Sequence, residues 1–277
     1  MKKTSILERL PTDVLIQVLD YLDQHSQFQM CLASKPLSET CIRTMWHTPT
    51  CTTVTAFNAL MSTIGTRDCN LYYPYKSFIV GLCLSFHTPQ TVLVLNTILP
   101  AISLKKIWIE NVQSISQTFV DKILCISDKL YMVHFSKCTS DTLTTFFTVL
   151  KRYGPHQGIE KIMICDCCVA DQIVYQMVVA TPMLQHFEYY RSGIISDCAI
   201  KLIVEHCRFI QVLIFTLPLN IVQANTVTYE SLELLAQSKY LKVLICKGQV
   251  RISRKEYKNW LYRCLPSLEY CDLSFDL

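Results

Sequence analysis

Leu130-Tyr131-Met132-Val133-His134-Phe135-Ser136-Lys137-Cys138 and Ile159-Glu160-Lys161-Ile162-Met163-Ile164-Cys165-Asp166-Cys167 are two copies of one pattern. Each has apolar residues at its first, fourth and sixth positions and a cysteine at its ninth. Six more stretches follow the same spacing: Ile79/Leu82/Leu84, Leu104/Ile107/Ile109, Leu184/Phe187/Tyr189, Ile210/Leu213/Phe215, Leu241/Leu244/Cys246 and Leu268/Cys271/Leu273. The first residues of consecutive copies lie 25, 26, 29, 25, 26, 31 and 27 positions apart. A near-constant period of this size predicts a solenoid, in which each unit buries its apolar face against its neighbours. Strand–helix alternation alone also permits a doubly wound sheet, but such folds vary their connections more.

Between the strand patterns lie helical ones. In Ile195–Cys207, Ala199, Leu202, Ile203 and Cys207 share a face, and Asp197 is placed to cap the helix. Asp141 with Leu143, Phe146, Phe147 and Leu150 repeats the scheme, as does Asp171 with Ile173 and Val174. Strand alternation then puts positions three, five and seven on the opposite, open face. These include Lys106, Trp108 and Glu110; Met132, His134 and Ser136; Lys161, Met163 and Cys165; and His186, Glu188 and Tyr190. They continue through Val212, Ile214, Thr216, Val243, Ile245 and Lys247 to Tyr270, Asp272 and Ser274. Exposed aromatic and Met side chains among mixed charges have the make-up of a protein-binding surface. The drier stretch around Ile214 and Ile245 is read as a pocket or as ground covered by Leu217–Thr228.

Composition narrows the classes. The chain has 277 residues, 51% hydrophobic and only 17% charged, which excludes general disorder. A net charge of +4 fits no strong pull toward nucleic acid or membrane surfaces. The basic run Lys247, Arg251, Arg254, Lys255 and Lys258 is diluted by Glu256 and Glu269 and reads as a solvated face. No secretory leader or membrane-spanning run is apparent, so the expected location is the cytoplasm, the nucleus or both. Fifteen cysteines, an odd number, then read as reduced packing residues rather than a disulfide framework. Cys165, Cys167 and Cys168 lack a second ligand pair at zinc spacing. There is no Gly-rich phosphate loop and no nucleophile elbow among only six glycines. His134, His186 and Cys165 come from different repeats and read as scattered surface residues. No metal, cofactor or catalytic residue is expected.

The first fifty residues differ from the rest. Leu10, Val14, Leu15, Val18, Leu19 and Leu22 lie at helical spacing, with Pro11 suited to the first turn. Asp23-Gln24-His25-Ser26 breaks this helix, Phe28 to Ala33 form a second, and Leu37 to Trp46 a third. Three short helices make a marginal core and are expected to dock on something else. The run from Leu10-Pro11-Thr12-Asp13 to Phe28–Lys35, ending Leu32-Ala33-Ser34-Lys35, resembles an F-box. Met45-Trp46-His47-Thr48-Pro49 is similar to the end of many fungal-type F-boxes. Asp13 stands where Glu is commoner, and Ser26-Gln27 replace an Asp-Leu pair. The repeats resemble the cysteine-containing leucine-rich-repeat subtype, with Ser192, Pro218, Gln249 and Asp276 at the cysteine position in other units.

The resemblance implies an α/β chain with three parts: an F-box over 6–50, a linker helix and connection over 51–77, and a leucine-rich-repeat solenoid over 78–277. That solenoid would have about eight degenerate strand–helix units and a parallel concave sheet. It further implies a non-catalytic substrate receptor, monomeric within a Skp–cullin–F-box ubiquitin ligase. Leu10, Pro11, Val14, Leu15, Val18, Leu19, Leu22 and Leu32 would meet the Skp-type adaptor. Lys106, Trp108, Glu110, Met132, His134, Lys161, Met163, His186, Glu188 and Tyr190 would meet a protein substrate. A repeat scaffold acting outside any ligase is the alternative.

Overall fold

A computed structural model describes residues 6–65, 74–85, 104–127, 129–154, 158–167, 169–193, 195–216, 227–247 and 254–273. Three short helices come first: α1 (Thr12–Asp20), α2 (Gln24–Ala33) and α3 (Lys35–His47). Pro11 stands just ahead of α1 in extended backbone, one residue earlier than expected. The polar stretch after α1 does more than end it. Asp23 accepts the Ser26 N–H at 2.7 Å and so starts α2. Gln27 donates through Nε2 to the carbonyls of Leu19 (2.8 Å) and Leu22 (3.1 Å). It thereby adds to the Leu22 N–H bond that the Leu19 carbonyl already accepts and ties the start of α2 to the end of α1.

A strand too short for periodicity to reveal follows, β1 (Thr50–Cys51), and it lies across the expected boundary at residue 50. Among the described residues it brings the sheet to nine strands, where about eight units were expected. Helices α4 (Val54–Gly65) and α5 (Tyr75–Phe78) come next, then β2 (Gly81–Leu84) and β3 (Lys106–Glu110). From there strand and helix alternate: α6 (Gln117–Ile126), β4 (Met132–Ser136), α7 (Ser140–Arg152), β5 (Lys161–Cys165), α8 (Asp171–Ala180) and β6 (His186–Tyr190). The series closes with α9 (Asp197–His206), β7 (Val212–Thr216), α10 (Tyr229–Leu235), β8 (Val243–Lys247), α11 (Arg254–Cys264) and β9 (Tyr270–Asp272). The connections read around Thr66–Tyr73 and at Leu217–Thr226 lie outside the described residues, as do Pro218, Gln249, Arg251, Ser274 and Asp276.

All nine strands are parallel and pair in sequence order. Crossovers of one hand between sequential neighbours place the helices on one side of the sheet. Accordingly α6, α7, α8, α9 and α10 each pack on the next. A helix is about 10 Å wide and a strand about 4.8 Å, so the sheet bends toward its uncovered side. This is the arrangement of a solenoid. All 24 anchor residues are buried, none more than 7% exposed, within one core running from Cys51 to Leu273.

Three main-chain devices repeat along the stack. The carbonyl of each copy's second residue accepts the next copy's second and third N–H groups. Lys105, Tyr131, Glu160, Gln185, Gln211 and Lys242 all do so. The residue after the strand takes a left-handed conformation at Asn111, Lys137, Asp166 and Arg191. Each donates its N–H to the last carbonyl of the next strand, at Ser136, Cys165, Tyr190 and Thr216. Next comes the cysteine position. The Cys138 N–H donates to the Cys167 sulfur at 3.3 Å, and the Cys167 N–H to the Ser192 hydroxyl at 3.0 Å. Those side chains donate in turn to carbonyls: Cys138 to Ile109 (3.2 Å), Cys167 to Cys165 (3.2 Å), and Ser192 to Ile164 (3.0 Å). A small donor–acceptor side chain meets the requirement, which is why Ser and Cys interchange here. A side-chain bond with the Cys138 thiol, reinforced by burial, pushes the Cys167 thiol far up, although the Cys138 N–H pulls the other way.

The helix starts correct one expectation. The caps of α7 and α9 are Thr139 and Ser196, and α8 has no side-chain cap. A cap needs the extended residue before the first turn, whereas Asp141, Asp171 and Asp197 already lie inside it. Asp171 and Asp197 serve sideways instead. Asp171 accepts the Ser196 hydroxyl, and Asp197 accepts the Thr228 N–H (2.8 Å), the Thr228 hydroxyl (2.7 Å) and the Ser231 hydroxyl. Burial opposes the Asp197 charge, but bonds from Ser231 and Thr228 outweigh it and hold its pKa below the usual value. Its stabilisation is therefore complete above about pH 4 and lost as pH falls through the depressed folded pKa. Asp197→Asn is expected to flatten the acid limb of a urea-midpoint-versus-pH curve below about pH 4. An unchanged limb would remove this residue from acid unfolding.

Candidate functional site

The open face is assembled by register. One row reads Lys106, Met132, Lys161, His186, Val212, Val243, Tyr270. The next reads Cys83, Trp108, His134, Met163, Glu188, Ile214, Ile245, Asp272, and a third Glu110, Ser136, Cys165, Tyr190, Thr216, Lys247. The ten substrate-facing residues expected from sequence thus form one patch spanning β3 to β6. Nine are half-buried and Tyr190 is exposed. Thr216 departs from the pattern: it is buried, and its hydroxyl accepts the Arg191 N–H at 3.2 Å.

Charges on this face are mostly matched. Glu188 accepts from Lys161 at 3.1 Å and from His186 on the same carboxylate oxygen. Those bonds, that from His186 foremost, hold the Glu188 pKa below the ordinary carboxylate value. Asp272 pairs with Lys247 at 3.4 Å. Arg191 pairs with Asp166 at 2.8 Å while its guanidinium lies 4.7 Å from the Tyr190 ring centre. Asp166 and Arg191 sit in the left-handed corners, beyond the alternation that marks strand residues, and Tyr190 closes β6 beside them.

At the β1–β4 end lies a cavity of about 410 Å³, lined by Thr50, Cys83, Trp108, Glu110, His134 and Ser136 among others. The Trp108 and His134 rings meet edge to face with centres 6.5 Å apart. The buried His134 Nε2 has no hydrogen-bond partner. Burial keeps His134 below its ordinary pKa, against the pull of Glu188 and Glu110. Thr50 went unnoticed because β1 is two residues long, whereas Cys83, at the fifth position of the first copy, belongs to the open face by the same spacing. A second cavity, about 470 Å³, lies between the helical module and the sheet, with Asp20, Gln27, Arg43, His47 and Thr50 among its walls.

His134, His186 and Cys165 stand in three different rows of the face. His186 is engaged with Glu188, and burial pushes the Cys165 thiol up to about 11. Cys165 faces the open side whereas Cys167 belongs to the buried ladder, so the two diverge; Cys168 lies outside the described residues.

The helical module offers a different surface. Leu15, Leu19, Leu37 and Cys41 form a small core of their own, apart from that of the sheet. Leu15 and Leu19, expected at the adaptor surface, are at most 4% exposed and lie in this core. Leu10, Val18 and Leu22 are half-buried; Pro11, Val14 and Leu32 are exposed. Ile6, Leu7, Tyr21 and Phe28 add apolar surface that sequence spacing did not single out. The module joins the stack through Trp46, whose ring centre lies 4.3 Å from that of Tyr75, and through Arg43 over Phe78. No helix among the described residues is long and apolar enough to cross a membrane.

Set against known proteins, the chain matches no family model and no curated protein.

Proposed function

We propose that the chain is the substrate-recognition subunit of a Skp–cullin–F-box ubiquitin ligase, an F-box module followed by leucine-rich repeats. The observation that carries this reading is the unspent apolar surface of the helical module. Leu32 is 65% exposed, Phe28 46% and Val14 37%, although the module has its own core. Apolar side chains left outside a completed core fit a protein interface. The motif resemblance around Leu10-Pro11 and Ser34-Lys35 names the adaptor as the partner. The open face of the sheet then holds the protein to be modified. Its contribution to the reaction is proximity and orientation, with no bond chemistry of its own.

The full chain is expected to co-purify with a Skp-type adaptor and, through it, a cullin. Val14→Asp with Leu32→Asp should weaken adaptor retention by about tenfold or more, since each puts a charge into an apolar contact. Neither substitution touches the module core, and circular dichroism of the variant should match the parent. Failure of the parent chain to retain the adaptor would overturn the reading. Retention without cullin would leave a repeat scaffold outside the ligase.

A further inference from the structure

We infer that the cavity at the β1–β4 end of the open face receives a lysine or arginine side chain from the bound protein partner. This rests on the reading of that face as a partner-binding surface and names the chemistry it selects.

The argument begins with charge matching. Three carboxylates occupy the described face: Glu110, Glu188 and Asp272. Glu188 is shared by Lys161 and His186, and Asp272 is paired with Lys247. Glu110, at the cavity wall, has no cationic partner among the described residues. The nearest lysine on its own strand, Lys106, turns away and sits 5.9 Å from the Tyr131 ring centre. Among the described residues, the cavity therefore holds a carboxylate with no ion-pair partner.

Its other walls suit the same occupant. Trp108 offers an indole, the best aromatic surface for a cation. His134 is held neutral by burial, and a neutral imidazole nitrogen can accept a hydrogen bond from an ammonium or guanidinium. Its buried Nε2 has no partner at present. A basic side chain would satisfy the carboxylate, the imidazole nitrogen and the indole face together. An apolar side chain would leave the first two unpaired, and an acidic one would meet repulsion from Glu110. At about 410 Å³ the cavity is large enough for one long side chain with water. The rest of the face does not repeat this combination. Farther along, the central row turns to Ile214 and Ile245.

The test is a positional-scanning peptide library bound to the full chain, without adaptor or cullin. The parent protein should enrich Lys or Arg at one peptide position by about tenfold over Leu and Glu. Glu110→Gln should abolish that enrichment, and Glu110→Lys should shift it to Asp or Glu. Trp108→Leu should reduce it severalfold while leaving the other positions unchanged. Binding without preference for a basic residue overturns the inference, as does a preference that survives Glu110→Gln. Absence of binding by every peptide overturns it equally. Adaptor retention, measured separately, decides the ligase reading, so the two can fail independently.

Discussion

Phe135→Ala is expected to lower unfolding free energy by about 3–5 kcal/mol, the largest effect of any single truncation considered. Phe135 is fully buried on β4, and its ring centre lies 5.1 Å from that of Phe146 and 5.7 Å from that of Phe147. Those two rings, both on α7, are themselves 5.5 Å apart at 85°. The triangle fastens a strand to its own helix. Removing one vertex loses transfer energy, leaves a cavity and breaks two ring pairs worth about 0.5–1.5 kcal/mol each. In a stack whose units touch only their neighbours, damage in the middle also weakens the coupling between the two ends. Trp46 and Trp260 flank the damage, and single-tryptophan backgrounds that keep only one of them report on separate halves during urea unfolding. Their transitions should coincide in the parent chain and separate in the variant. A cost under about 1.5 kcal/mol would show that the site collapses onto the missing ring. Phe135→Leu, which keeps most of the volume, should cost much less.

Gly193→Ala should cost about 2–3 kcal/mol, a large penalty for one methyl group. Gly193 adopts φ +119°, which side-chain-bearing residues rarely occupy. An added Cβ would lie 3.2 Å from the Tyr189 hydroxyl and 3.4 Å from the Val169 carbonyl oxygen. That hydroxyl is buried and stands 2.7 Å from the Ser192 carbonyl oxygen and 3.0 Å from that of Val169. Backbone strain accounts for most of the cost, and displacement of the hydroxyl adds about 1 kcal/mol. In a Tyr189→Phe background the second part disappears, so the glycine substitution should cost about 1 kcal/mol less there. Equal costs in both backgrounds would assign the whole penalty to the backbone. A cost below about 1 kcal/mol would dismiss the strain argument.

Much of this architecture was readable from spacing. A strand buried on one side must alternate, and a unit that buries itself against its neighbours must recur. The anchors Val133, Ile162, Phe187 and Leu213 follow from those two facts alone. Register then gathers Trp108, His134, Met163 and Glu188 into one row, because equal strands start at equal points of the repeat. What stayed hidden depended on geometry that spacing does not encode. Capping by Ser196 rather than Asp197 turns on which residue is extended. The burial of Leu15 and Leu19 turns on how three helices meet. Gln27 looked like a lost apolar contact until the carbonyls of Leu19 and Leu22 appeared beside it. The cavity needed β1, which at two residues shows no period.

The sideways ladder has a consequence for how such a chain can change length. The carbonyl of Lys105 serves Tyr131 and Met132, that of Tyr131 serves Glu160 and Lys161, and the thiol of Cys167 serves Cys138. Every link joins the same or the adjoining position of neighbouring turns. Removing a few residues within a strand or corner would set donors opposite the wrong acceptors. Removing one whole turn would bring equivalent positions back into line, and the loop segments, where the spacing already varies, absorb the remainder. Length in this molecule is therefore counted in whole turns. A longer or shorter relative would differ by how many residues each row of the open face carries, with the number of rows unchanged.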